Sequence, residues 1–172
     1  METLKLTFRY LIDVIVWLLF GIFISCLLFS FFSGKSLFGN RHLYIVQSGS
    51  MEPSIMTGDI IVTTAERIYQ KNDVITFSSP ERGVVTHRIV EVTVQGKDSS
   101  FITKGDANRS TDSDEINLDQ IIGKVDLVLP RLGYLVFFSR EPVGVLVLIG
   151  IPGLIIIFEE LLKLRQKNKV KS

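Results

Sequence analysis

Three polar clusters in this sequence hold residues able to do covalent chemistry. The first is Gln47-Ser48-Gly49-Ser50-Met51-Glu52-Pro53-Ser54, where an apolar β-type run gives way to a glycine turn that presents a serine ahead of a proline. A nucleophilic hydroxyl needs such an exposed position, with backbone N–H groups close enough to stabilise an oxyanion. The second is His87 within GVVTHRIVEV. At a period of two, Val85, His87 and Ile89 share one face, so the imidazole is carried on a stiff strand among apolar neighbours, and its pKa lies near neutrality, as a general base requires. The third is the acidic stretch FITKGDANRSTDSDEINLD, with Asp106, Asp112, Asp114, Glu115 and Asp119, any buried member of which could orient an imidazole. Taken singly, each cluster also fits a plainer part: a Ser/Gly turn, a packed histidine, and a solvated or calcium-binding loop. The order Ser, His, Asp is compatible with a triad without showing one.

The segments around these clusters read as β. Leu43–Ser48, Asp59–Thr64, Asp73–Phe77, Gly83–Val94, Phe101–Lys104 and Ile121–Leu129 are short runs rich in Val, Ile, Thr and Phe. Turn formers separate them, including SGS, TGD, SSPERG, QGKDSS and KGDANRS. No helical period or internal repeat runs through this stretch, and a small Greek-key or barrel-like domain is the expected outcome.

The two ends differ in kind. Val14–Phe32 is nineteen residues without a charge, about 28 Å as a helix and close to a bilayer core. It exceeds a signal-peptide core, no small-x-small site follows it, and it reads as a retained anchor. Asp13 and Trp17 suit its interfacial end. Val143–Phe158 is sixteen uncharged residues, about 24 Å and short for a span. Pro152 and Gly153 interrupt it, and a basic tail with Lys163, Arg165, Lys167, Lys169 and Lys171 follows. Such a tail is cytoplasmic by the positive-inside rule, and Lys5 and Arg9 suggest the same for the N-terminus. The expected organisation is a cytoplasmic N-terminus at 1–13, an anchor at 14–32 and an extracytoplasmic β domain at 33–141. A second membrane helix at 142–160 and a cytoplasmic tail at 161–172 complete it.

Composition agrees with this division. Of 172 residues, 47% are hydrophobic and 22% charged, figures compatible only if the apolar residues are segregated. The stretch 33–141 carries twelve Lys/Arg against fourteen Asp/Glu, which marks it as solvated. A net charge of +1 gives no case for a nucleic-acid partner. One cysteine excludes an internal disulfide framework and a multi-cysteine zinc site, and two histidines exclude a histidine-rich metal centre.

The ordered motifs carry a resemblance. VQSGSMEPSIMTGDIIV resembles the nucleophile box of the type I signal peptidases, VVTHRIVEV the second box, and FITKGDAN with Asp112 the third. IIGKVDLVLPRLGYL is similar to the family's last strand. Together they cover roughly residues 43–135. His87-Arg88 stands where most bacterial members carry Lys-Arg, which places the likeness in the endoplasmic-reticulum, archaeal and endospore-former branch of these S26 serine peptidases. The resemblance implies a β-barrel-like catalytic domain between transmembrane helices. It implies Ser50 as nucleophile, His87 as base, Asp112 six positions after Asp106 as orienter, Asp106 as a supporting acid and Ser48 as an oxyanion donor. The chain has Gly105-Asp106-Ala107-Asn108 where the branch often reads G-D-N, and Thr111-Asp112 for a paired D-D, which leaves the choice among Asp106, Asp112 and Asp114 open. Lys104 is the alternative base. No metal or cofactor is implied. The implied partners are signal peptides of secreted preproteins and the lipid bilayer; the competing reading is a non-enzymatic membrane-tethered β domain for assembly or sensing.

Overall fold

The structure, a computed structural model, describes residues 2–37, 39–95 and 98–171. Gly96 and Lys97 of the expected QGKDSS turn, Met1 and Ser172 lie outside the described residues, as do the side chains of Lys5, Arg9, Lys163, Lys167, Lys169 and Lys171. The chain forms two compact units, one of residues 32–134 and one of residues 1–31 with 135–172.

The first unit is β. Its strands are β1 (Ser36–Leu37), β2 (Arg41–Ile45), β3 (Ile60–Thr64), β4 (Val74–Ser79), β5 (Gly83–Gln95), β6 (Asp98–Lys104), β7 (Ile116–Asn117) and β8 (Ile121–Leu129). They make one sheet in the order β1-β2-β3-β8-β4-β5-β6-β7, with antiparallel pairing throughout. The last long strand thus inserts between β3 and β4. Bulges at Val62/Thr63, Thr76/Phe77 and Ile89/Glu91 add twist and bend. This is the β-rich domain expected from the alternating runs.

Two apolar clusters hold it. Tyr69, Ile75, Phe77, Ile89, Phe101 and Ile116 form one; Met51, Ile55 and Ile61, with Tyr44 and Val128 against them, form the other. Ile75 and Phe77 are fully buried, yet Thr76 between them is buried too. Its hydroxyl pairs at 2.9 Å with that of Thr86 across the strands, so β4 is covered on both faces. β2 ends earlier than expected, at Ile45, because the Val46 N–H and carbonyl are taken by Asp59 and Gly58 of the following turn, each at 2.9 Å. There the buried Asp59 carboxylate accepts the N–H groups of Met56 and Arg131, both at 2.9 Å. Gly58, at φ +88°, lies under the Tyr134 ring, and a Cβ there would come within 2.4 Å of it.

The second unit is helical. Its long helix α1 spans Glu2–Phe32, and 23 residues of it, Tyr10–Phe32, are long and apolar enough to cross a membrane. The last strand ends at Leu129 as expected, and the LGYL segment leads into the helix α2 (Gly133–Arg140) after the Pro130-Arg131 turn. α3 (Pro142–Val145), a π turn at Leu146–Gly150 and α4 (Ile151–Lys171) follow. The π turn stands just ahead of Pro152, which lacks the N–H for an ordinary helical bond and crowds the carbonyl four residues back. Pro142–Leu162 is also long and apolar enough to span, at 21 residues. Both candidate spans leave most of their apolar side chains exposed: Trp17 is 72% accessible, Leu154 64% and Phe158 63%. Within this unit, Arg140 Nε donates to Ser30 Oγ at 3.0 Å.

Candidate active site

Ser50 sits in the turn after β2. Buried Met51 and Ile55 root this turn in the second cluster, and the Glu52 N–H closes it onto Gly49 O at 3.1 Å. Ser50 itself stays half-buried. His87 lies on β5 opposite Ile75, with Phe77 edge-on to its ring at 6.3 Å between centroids, and is 2% exposed. A ring so placed has little freedom. Asp112 comes from the loop after β6, pinned by its own N–H to Thr103 O at 2.8 Å.

These three side chains meet. Ser50 Oγ is 3.2 Å from His87 Nε2, and His87 Nδ1 is 2.6 Å from Asp112 Oδ2. A carboxylate can only accept, so Nδ1 carries the proton and Nε2 is left to accept from the Ser50 hydroxyl. Thr103 Oγ1 donates to the same Asp112 oxygen at 2.6 Å, and Arg82 Nη1 donates to the other at 3.0 Å. Burial pushes the Asp112 carboxyl up, but the donations from Thr103, His87 and Arg82 outweigh it and hold it below the usual carboxylate range.

Arg88, next along β5, faces the other way. Its Nε and Nη2 grip Asp106 at 2.9 and 2.7 Å, and its Nη1 donates to Asn72 O at 3.0 Å. This fork holds the Asp106 carboxyl well below the ordinary range, with a further donation from Ser54. Asp106 therefore pairs with Arg88 and makes no hydrogen bond to His87. Asp114, Glu115 and Asp119 are exposed. Lys104 ends β6 opposite Arg88, and Ser48 is exposed beside Ser50. His42, the other histidine, stacks on Tyr44 along β2 and lies outside this constellation.

A cavity of about 580 Å³ opens at Ser50 and His87. One wall is the segment 44–48 and the other is 82–87, with Ile55 and Ile61 apolar beneath. β4 covers Gly83–Arg88 on one side, whereas β6 joins β5 only from Arg88 onward. The second edge of residues 83–87 thus has no strand on it among the described residues. Among those residues no group of three His, Cys, Asp or Glu is placed to hold a metal.

Sequence reasoning missed Arg82 and Thr103. Thr103 could have been found by parity, two residues after the buried Phe101 on β6; the SSPERG turn gives no such signal for Arg82.

A serine hydroxyl, a buried imidazole and a carboxylate in line beside a strand-edged cavity define a serine-peptidase type of site. No family model matches the chain. Individual proteins do. The chain is similar to signal peptidase I W of Bacillus subtilis, 44% identical over 79 residues, covering 44% of this chain and 42% of that protein's length. It is also similar to SEC11, the catalytic subunit of the signal peptidase complex, from Pyricularia oryzae, 30% identical over 129 residues, and from Verticillium alfalfae, 29% identical over 129 residues. Each of these alignments covers 68% of this chain and 75% of the relative. The chain belongs to the signal peptidase family of S26 serine peptidases, in the branch that these proteins represent. It is a membrane-associated peptidase, and a non-enzymatic β domain is not favoured.

Proposed function

We propose that this protein removes signal peptides from secreted preproteins, with Ser50 as nucleophile, His87 as general base and Asp112 as the residue that orients the ring. The observation carrying this reading is the line from Ser50 Oγ through His87 to Asp112, at 3.2 and 2.6 Å, at the mouth of the cavity. Ser50 Oγ attacks the carbonyl carbon of the scissile peptide bond while His87 Nε2 takes the hydroxyl proton. The oxyanion is stabilised by the Ser50 N–H and the Ser48 hydroxyl. Collapse breaks the C–N bond, and the imidazolium returns its proton to the leaving amine. Water, deprotonated by His87, then hydrolyses the acyl-serine and releases the signal peptide as a carboxylic acid.

The substrate adds as an extended strand to the free edge of residues 83–87, facing 44–48. The resemblance to the family points to small side chains just before the cut. The two candidate spans hold the enzyme in the bilayer that also holds its substrate, which reduces encounter to a search in two dimensions. Both termini are cytoplasmic and 33–141 is extracytoplasmic, the spans being 14–32 and 142–160.

Cleavage of a model preprotein by the purified protein tests the activity. Wild type should release the mature chain and Ser50→Ala should not; turnover retained by Ser50→Ala would remove the nucleophile. Protease added to the extracytoplasmic face should cut within 33–141 and spare the basic tail. Loss of the tail would reverse the topology.

A further inference from the structure

Asp112 is a hub with three donors on two oxygens. Oδ2 receives His87 and Thr103, both at 2.6 Å. Those two are fixed: His87 is 2% exposed and Thr103 fully buried, each on a paired strand. Oδ1 would be free to rotate toward water but for Arg82, which reaches it at 3.0 Å. Arg82 lies just outside the strands that carry His87 and Thr103. It stands in the turn between β4 and β5, ahead of Gly83 at φ +73°, with its side chain 42% exposed and Asp112 only 6%. It also lines both the catalytic cavity and a second, polar cleft formed with residues 107–114. The guanidinium is thus the solvent-side cover of the carboxylate.

We propose that Arg82 is a positioning residue of this active site: by clamping Oδ1 it keeps Oδ2 aimed at the His87 ring. This rests on His87 being the base. The groups against His87 are Ser50 from the nucleophile turn, Phe77 from β4 and Asp112 from the loop after β6, with Thr103 and Arg82 reaching it through Asp112. The paired charges Arg88 and Asp106 and the terminal Lys104 lie near. The Asp112 carboxylate attracts positive charge on the ring and the Arg82 guanidinium repels it, so removing the cation should move the acidic limb of the rate profile to higher pH.

The test is the pH profile of preprotein cleavage by the full-length enzyme in detergent, for wild type, Arg82→Met, Arg82→Lys and Asp112→Asn. Arg82→Met should lower kcat about tenfold, with a smaller change in KM, for one lost charge-assisted hydrogen bond. Its acidic limb should move to higher pH. Arg82→Lys keeps the charge and loses the fork, so its limb should stay near wild type while kcat falls by roughly threefold. Asp112→Asn should move the limb the opposite way. A turn residue with no part in the site would change thermal stability and leave the limb where it was. Should Arg82→Met fold poorly, Arg82→Gln carries the same expectation for the limb. An Arg82→Met or Arg82→Gln enzyme with kcat within twofold and an unmoved limb overturns the inference. Ser50→Ala and His87→Ala are run beside it: if both are inactive while Arg82 variants behave as wild type, this inference alone fails; if either stays active, the triad fails with it.

Discussion

Two adjacent residues of β5 each hold an aspartate from one loop, and they do opposite things with it. His87 points into the buried face and shares Asp112 with Thr103 and Arg82, through bonds of 2.6 to 3.0 Å. Arg88 points to the other face and closes a two-bond fork on Asp106. Arg88 stays charged at any working pH, so its pair is a permanent fastening. An imidazole, unlike a guanidinium, can accept and return a proton during a reaction, so the His87 pair can take part in one. The difference teaches that the spacing of two aspartates in a loop says little until the pleat of the facing strand assigns each one a side.

The largest effect separating the two faces is on rate. His87→Ala and Asp112→Asn should each lower kcat by about 10³–10⁴-fold, whereas Asp106→Asn should lower it by less than tenfold, measured on the same preprotein. A severe loss in Asp106→Asn with normal folding would merge the two faces into one machine. His87→Lys should also be poor, because a lysine needs strong desolvation to be neutral near pH 7 and this pocket holds a ring fixed by Asp112. The next difference is in stability. Arg88→Met leaves Asp106 without its fork and should cost about 1–3 kcal/mol in denaturant unfolding. Unchanged stability would show that the fastening is idle.

A pH dependence follows from the carboxylates. Both Asp106 and Asp112 are held below their ordinary pKa in the folded state. Their stabilisation is therefore complete above the unfolded value of about 4 and disappears as pH falls through the folded values. Acid unfolding of Asp106→Asn should begin from a lower plateau and be flatter below pH 4 than that of wild type. A steeper fall would contradict the sign. Smallest of all, Lys104→Ala should change cleavage less than threefold; a dead enzyme there, with an active His87→Ala, would transfer the base to Lys104.

Much of this was legible in the residues. Alternation along VVTHRIV put His87 on the apolar side, and in the structure 87 and 89 are the buried positions while 88 is not. The two long apolar helices were legible because uncharged residues run on for so many positions, though their ends differ by a few residues from Tyr10–Phe32 and Pro142–Leu162. The choice among Asp106, Asp112 and Asp114 was not legible: it depends on the Thr103 carbonyl that fixes the loop and on the guanidinium of Arg88, contacts distant in sequence. The helix at Gly133–Arg140 was missed for a similar reason. Its start depends on Gly133 fitting against the Gly58 carbonyl, its N–H donating to it at 2.9 Å, which no local propensity reports.

Gly105 has a consequence for anyone who would rebuild this enzyme. A Cβ there would stand 2.5 Å from the Ser50 carbonyl oxygen, and the Ala107 N–H two residues later donates to that same oxygen at 2.9 Å. The turn bearing the hydroxyl and the loop bearing the acids are therefore one moulded part with a single glycine-wide clearance between them. Gly105→Ala should pry the serine out of alignment without removing any polar group, and a longer or shorter acid loop could be grafted only together with a matching serine turn. The two cavity walls have more room, and side chains there can change size without disturbing that fit.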